Sequence, residues 1–292
     1  MDSVTWDHRP SGLRAPAMVC AFDGWNDAGD AASLAVAALI SSFGGNDFAR
    51  IELESFLDLR ETRPIIRVVD GEVLDLTWPA TTLTAVFAPR APRDLIVVSG
   101  PEPALSWRAY CDVLVDLAES LECSMVVTLG AFLADLPHTR PVPIAGTASD
   151  PALSERLGLV PSNYEGPSGV TSALHHAFAK AGVPAVGLWA AVPHYIAAMP
   201  NPKAALALVR RLESLTGVIV DAEELEGDAV EHDRQVEQAV QHDSDLRGFV
   251  EQLEEAAAED EPDDSEDIPS GDSIERDVQR FLRQRDVSDD KD

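Results

Sequence analysis

Through the first 217 residues, short apolar runs alternate with stretches whose apolar positions recur at steps of three and four. The first pattern belongs to buried strands and the second to amphipathic helices. Ala17–Phe22 reads as a buried strand and is followed by a helix from Asn26 to about Ser42; Ile51–Phe56 reads as a second strand. Ile65–Val69 and Glu72–Thr77 flank Asp70-Gly71, a dipeptide suited to the two positive-φ positions of a tight hairpin turn. Leu83–Phe87 and Leu95–Ser99 are expected as strands, then a helix over about Ala104–Ser120, a strand at Met125–Leu129 and a helix from Gly169 to Ala181 stopped by Gly182. A strand at Ala185–Ala191 and a helix at Lys203–Leu215, ended by Gly217, complete the series. Strands separated by helices require crossovers, which favour a largely parallel sheet covered on both faces, and the hairpin adds an antiparallel part. The expected fold class is α/β, a three-layer mixed sheet with a C-terminal acidic helical extension.

Beyond residue 220 the pattern changes. Ala222, Leu225, Ala229, His232, Val236, Ala239, Asp243, Leu246, Val250, Leu253 and Ala257 follow alternating steps of three and four. This is a heptad seam, weakened by His232 and Asp243 within it and by Gly227 and Gly248 along its helix. It suits either a helical pair packed on its own domain or a coiled coil between subunits. Glu259–Gly271 is densely acidic and contains proline, as a disordered linker would be. Asp272 then stands three residues before Glu275 in a capping arrangement, and Ile274, Val278, Phe281 and Leu282 share one helical face. Such a tethered helix either docks a protein client or folds back on the parent domain. The expected organisation is therefore residues 1–220 as the core domain, 221–258 as the acidic helical extension, and 259–292 as linker and tail helix.

Charge narrows the range of partners. The formal net charge is -29, and after residue 220 there are 27 acidic against 7 basic residues, so about 20 of the excess charges lie there. A chain so acidic, with no Lys/Arg cluster, repels nucleic-acid backbones and anionic membranes. Met1–Ser11 lacks the apolar core of a signal peptide, no stretch approaches a membrane span, and the three scattered cysteines have no paired spacing. A cytoplasmic location is expected.

Five segments carry polar groups where α/β proteins place ligands, at strand ends and helix starts. In Phe22-Asp23-Gly24-Trp25-Asn26-Asp27-Ala28-Gly29-Asp30, Trp25, Asn26 and Asp27 either meet a ligand or cap a helix and complement its dipole. In Ser99-Gly100-Pro101-Glu102-Pro103, Glu102 is held by restricted neighbours, either at a site or in the first turn of a helix. His138 and Arg140 within Leu136–Pro141 offer a proton-transfer group and an anion clamp, or a simple ion pair. Tyr164 and Glu165 lie in a glycine-rich loop that leads into a helix, where Glu165 suits a sugar hydroxyl or a partner's backbone. His194, in Val192-Pro193-His194-Tyr195, reads more readily as a satisfied structural histidine than as a catalyst. There is no His/Cys metal cluster, no nucleophile elbow and no nucleotide-binding glycine pattern, so no metal or cofactor is expected.

Ala21–Gly29, Gly100–Pro103, Pro137–Pro141, Tyr164–Gly169 and Trp189–Tyr195 together resemble the proteasome assembly chaperone 2 family in its actinobacterial form, over roughly residues 15–217. The resemblance implies a fold of the purine nucleoside phosphorylase-like/hydrolase-like group and self-association, with a trimer favoured. Eukaryotic relatives chaperone assembly of the proteasome core, and some bacterial members carry a carboxylate–amine ligase label that no ATP-grasp signature supports here. The sequence ends Ser288-Asp289-Asp290-Lys291-Asp292, unlike the hydrophobic–Tyr–any-residue ending through which such chaperones dock. The leading expectation is a homo-oligomeric assembly chaperone-like or scaffold protein, more a binder than an enzyme. The alternative is a nucleoside-like hydrolase or phosphorylase in which Asp27 or His138 moves a proton, Glu165 holds a sugar and Arg140 clamps an anion; a third reading is a ligand-gated adaptor.

Overall fold

The computed structural model describes residues 3–159 and 164–259. The expected tail helix around Ile274–Leu282, its linker, and Asn163 lie outside the described residues. The chain divides into one compact unit, Met1–Val250, and a second, Glu251–Asp292.

In chain order the strands are β1 (Val4–Trp6), β2 (Ala17–Asp23), β3 (Asn46–Glu52), β4 (Ile65–Val69), β5 (Glu72–Thr77), β6 (Ala80–Val86), β7 (Leu95–Pro101), β8 (Met125–Ala134), β9 (Ile144–Ala148) and β10 (Ala185–Pro193). The helices are α1 (Ala31–Phe43), α2 (Trp107–Ser120), α3 (Pro151–Arg156), α4 (Val170–Ala181), α5 (Pro202–Thr216), α6 (Glu223–His242) and α7 (Ser244–Glu259). Eight strands form one mixed sheet in the order β1-β3-β6-β7-β2-β8-β10-β9, while β4 and β5 pair only with each other. The centre, β7-β2-β8-β10, is parallel, and antiparallel strands flank it on both sides.

Strand β2 shows why the sheet is covered on both faces. Its residues alternate between two cores, as side chains on successive strand positions must. Ala17, Val19 and Ala21 pack in the cluster that includes α1 and α5, whereas Met18, Cys20 and Phe22 join Tyr110 and Leu114 of α2 and Leu174 and Phe178 of α4. All six are 0–1% exposed, so a charge at any of them would meet no water. The three expected layers are present.

Several boundaries differ from the sequence expectation. The second strand runs over Asn46–Glu52, not Ile51–Phe56. The amides of both Phe56 and Leu57 donate to the Leu53 carbonyl, so the apolar run there is a buried turn. The first helix begins at Ala31 instead of Asn26, because Gly29 and Asp30 take left-handed backbone angles ahead of it. Strands β1 and β9 and helix α3 have no counterpart in the expectation. Three residues of β1 and six of α3 are too short to display a period, and β9 is the small-residue run Ile-Ala-Gly-Thr-Ala.

The heptad seam is broken too, though not at its glycines. Helix α6 passes through Gly227 without interruption, and the break falls at Asp243, whose Oδ1 accepts the amides of Asp245 and Leu246 at 2.9 and 3.1 Å to start α7. A helical glycine costs only about 1 kcal/mol, which packing readily offsets. Leu225, Ala229, His232, Val236 and Val240 form the buried face of α6, which packs against α5.

His232 is the exception on that face: it is buried, and neither ring nitrogen has a hydrogen-bond partner. Burial holds its imidazole below the ordinary histidine pKa; Asp233 opposes this, and Lys203 and His138 reinforce it. The unfolded chain takes up a proton near pH 6.5 that the folded chain resists. Stability from this seam is therefore complete above that pH and is lost as pH falls through the lower folded value. The fall in thermal midpoint between pH 7.5 and 5.5 is expected to be smaller for His232→Leu than for the unaltered protein; an equal fall in both would contradict it.

Candidate functional site

The parallel strands β2, β7, β8 and β10 all end at one edge, and the segments after them converge there. The turn after β2 lies against β8, since the Ala131 amide donates to the Asn26 carbonyl at 2.7 Å. It also lies against the start of α5, where the Asn201 amide donates to the Gly29 carbonyl at 2.6 Å.

Glu102 stands at the centre of the first cluster. Its Oε1 accepts the Asn26 Nδ2–H at 2.9 Å and the Val170 amide at 2.8 Å, and its Oε2 accepts the Trp25 amide at 3.3 Å. The Val170 amide is a first-turn donor of α4, free of an intrahelical partner, so the carboxylate also complements the positive end of that helix. Two glycines make room for the clasp. A Cβ on Gly169 would lie 1.7 Å from Asn26 Nδ2, and Gly24 has φ of +140° with Glu102 Cβ 3.1 Å from where its own Cβ would be. The expectation that Glu102 sits in the first turn of a helix fails: α2 begins at Trp107, and Glu102 joins other segments instead.

Asn26 is buried and spends its side chain on Glu102, so it caps no helix. Asp27 does the capping. Its Oδ1 accepts the Ala32 amide at 2.6 Å, and its Oδ2 accepts the Ser33 amide at 3.2 Å and the Ser33 hydroxyl at 2.5 Å. Burial pushes its carboxyl above the usual range, and these hydrogen bonds act in the opposite direction. With its oxygens committed to the start of α1, Asp27 fits the capping reading better than a proton-transfer role.

The second cluster is built on His138, which is buried. Its amide donates to the Tyr195 hydroxyl at 2.7 Å, and Nδ1 lies 2.8 Å from the same oxygen. Its Nε2 lies 3.5 Å from Glu237 of α6. Lys203 holds the loop from beneath: its Nζ donates to the His138 carbonyl and lies 3.0 Å from Asp233. His194 is half-exposed, with Nδ1 2.8 Å from Asp135 Oδ1. The rings of His194 and Tyr195 pack edge-on against Phe249 at 5.5 and 6.0 Å. Arg140 is half-buried and partnered.

Tyr164 and Glu165 are exposed, with the Tyr164 hydroxyl donating to the Pro167 carbonyl at 2.8 Å. Among the described residues no hydrogen bond or ion pair joins Asp27, His138 and Glu165. Sequence reasoning did not find Asn201, Lys203 or Phe249. Asn201 had a visible signal, an Asn directly before Pro202, where its Oδ1 accepts the Ala204 amide at 2.9 Å and caps α5; the other two depend on contacts distant in sequence. Around the clasp the edge is apolar and open: Trp25 is 65% exposed, Leu105 50%, Phe132 42% and Leu133 49%.

Glu102→Ala is expected to leave the Val170 and Trp25 amides without their acceptor and to destabilise the protein by about 1–3 kcal/mol. Gly169→Ala should do comparable damage by forcing Asn26 aside. Chemical denaturation with hydrogen exchange at residues 25–27 and 170–174 checks both, and unchanged exchange at those amides would refute the clasp.

Residues 21–240 match the PAC2 family. A PAC2 family protein of Streptomyces avermitilis is 46% identical, with 80% of this chain and 99% of that one covered and a TM-score of 0.75. A proteasome-assembly chaperone homologue of Mycobacterium tuberculosis is 42% identical over the same shares, also with a TM-score of 0.75. An archaeal proteasome activator of Pyrococcus furiosus shares the fold, with a TM-score of 0.67 over 81% of this chain and 97% of that one at 15% identity. The comparison with curated proteins gives no match. Among the described residues no helix is long and apolar enough to cross a membrane. The match covers most of the chain and includes the segments that build both clusters at the sheet edge: the chain belongs to the PAC2 family.

Proposed function

We propose that this chain is a cytoplasmic, self-associating assembly chaperone-like or scaffold protein whose carboxyl-edge surface holds another protein chain. Its likeness to a proteasome-assembly chaperone homologue, at 42% identity over 80% of the chain, supports the class of activity. The observation that carries the reading is the state of the edge itself. Two carboxylates of the edge are engaged in holding loops, Glu102 by three N–H groups and Asp27 by the start of α1. Around them stand large apolar side chains exposed to solvent. Buried, satisfied polar groups beneath an apolar rim favour contact with a protein over chemistry on a small molecule.

The acidic segment from residue 259 onward is proposed as a second, tethered contact for a protein client. The nucleoside-enzyme reading gains nothing from this edge, where among the described residues no hydrogen bond or ion pair joins Asp27, His138 and Glu165.

Trp25→Ser and Phe132→Ser are suitable probes because both side chains are exposed. Each is expected to lower capture of the protein partner from native cell extract by about tenfold, with the thermal midpoint within roughly 1 °C of the unaltered protein. Capture unchanged in both variants, or a rise in midpoint on adding nucleosides or inorganic phosphate, would overturn the proposal.

A further inference from the structure

On the face of the sheet away from α1 and α5, helices α2 and α4 pack on each other and leave a groove of about 840 Å³ along their seam. Trp107, Cys111 and Val115 recur every fourth residue on α2, and Ala173, Ala177 and Ala181 do so on α4. Residues spaced by four share one helix face. Each helix therefore gives the floor an apolar row of about two turns, roughly 12 Å long. The alanines add little bulk, which suits close approach of a third helix.

Charge lines the same groove. Arg108 borders the α2 row, His176 and Lys180 border the α4 row, and all three are exposed. Among the described residues none of these three has a hydrogen bond or an ion pair, and Asp112 is the one carboxylate in the lining. Elsewhere cations are held: Arg14, Arg50, Arg60, Lys203, Arg210 and Arg234 are each paired with a carboxylate. A short apolar floor edged by unpaired cations is complementary to a helix with one apolar face and acidic flanks. The net charge of -29 does not oppose this locally. About 20 of those charges lie after residue 220, and α6, the first element there, packs on α5 across the sheet from the groove. The intervening layers are about 20 Å thick, against a screening length of about 8 Å at physiological salt.

We infer that the groove between α2 and α4 receives an acidic amphipathic helix of a partner protein. None of the residues proposed above for the carboxyl edge takes part, so this contact does not rest on that reading.

The probe is a synthetic amphipathic helix of about 14 residues with Leu along one face and Glu beside it, used with a twin that carries Lys in place of Glu. The sequence has three lysines, Lys180, Lys203 and Lys291, so a carbodiimide, which joins an amine to a carboxylate touching it, reports where the peptide lies. Lys203 is 3.0 Å from Asp233 and should give an internal link in every sample. With the full chain, the Glu peptide is expected to link to Lys180. Arg108→Glu combined with His176→Glu keeps that reporter and should weaken binding, read by fluorescence anisotropy, by about tenfold. Both side chains are exposed, so the far-ultraviolet circular dichroism should not change. A Glu peptide that fails to link to Lys180 while the Lys203–Asp233 link forms, or that binds both proteins equally, overturns the inference. A Lys twin that displaces the Glu peptide from Lys180 as well as unlabelled Glu peptide does overturns the acidic assignment. A link from Lys180 to carboxylates of residues 260–292 before any peptide is added overturns the partner assignment in favour of the chain's own C-terminal segment.

Discussion

Because Glu102 accepts hydrogen bonds from Trp25, Asn26 and Val170 at once, the turn after β2 and the start of α4 cannot move independently. Here one oxygen receives two N–H groups and the other a third, and bare glycine at positions 24 and 169 lets the segments close around it. Hydrogen bonds to an ionised acceptor are stronger than neutral ones, and the charge also faces the positive end of α4. The parallel sheet brings four strand ends together; Glu102 turns that convergence into a fixed platform from which Trp25 projects.

The second cluster extends the platform to the acidic extension. Tyr195 and Lys203 fix the His138 loop, and Glu237 and Asp233 of α6 approach His138 and Lys203 respectively. Much of the chain's negative charge begins at α6, and a helix so acidic would leave the body if its inner face were only modestly apolar. Lys203 gives that helix a local complement, while Phe249 against His194 and Tyr195 anchors the first turns of α7. The family segment around His138 and Tyr195 therefore has a clear physical task in joining α6 and α7 to the sheet edge.

The parallel core and both covering layers were legible because buried strands such as Ala17–Phe22 and helices such as Lys203–Leu215 are long enough to show their period. The Asp70-Gly71 turn was legible from its two residues alone, since few others accept positive φ. The Leu53–Leu57 turn was not, because an apolar run records burial and says nothing of conformation. Asn26 and Asp27 were singled out together, yet which of them caps depended on where Gly29 and Asp30 delay the helix. Glu102 was found by its place after a strand, whereas its partners lie 68 to 77 residues away and no local pattern names them.

Hydrophobic patterning carries a further consequence in the hairpin. Burial and alternation agree in β2, whose two faces pack in separate cores. In β4 and β5 the alternation is as clear, with one face wholly apolar, but the burial is missing. The ribbon, with its positive-φ turn and Arg67 opposite Asp75, leaves an apolar face that no element of the described chain covers.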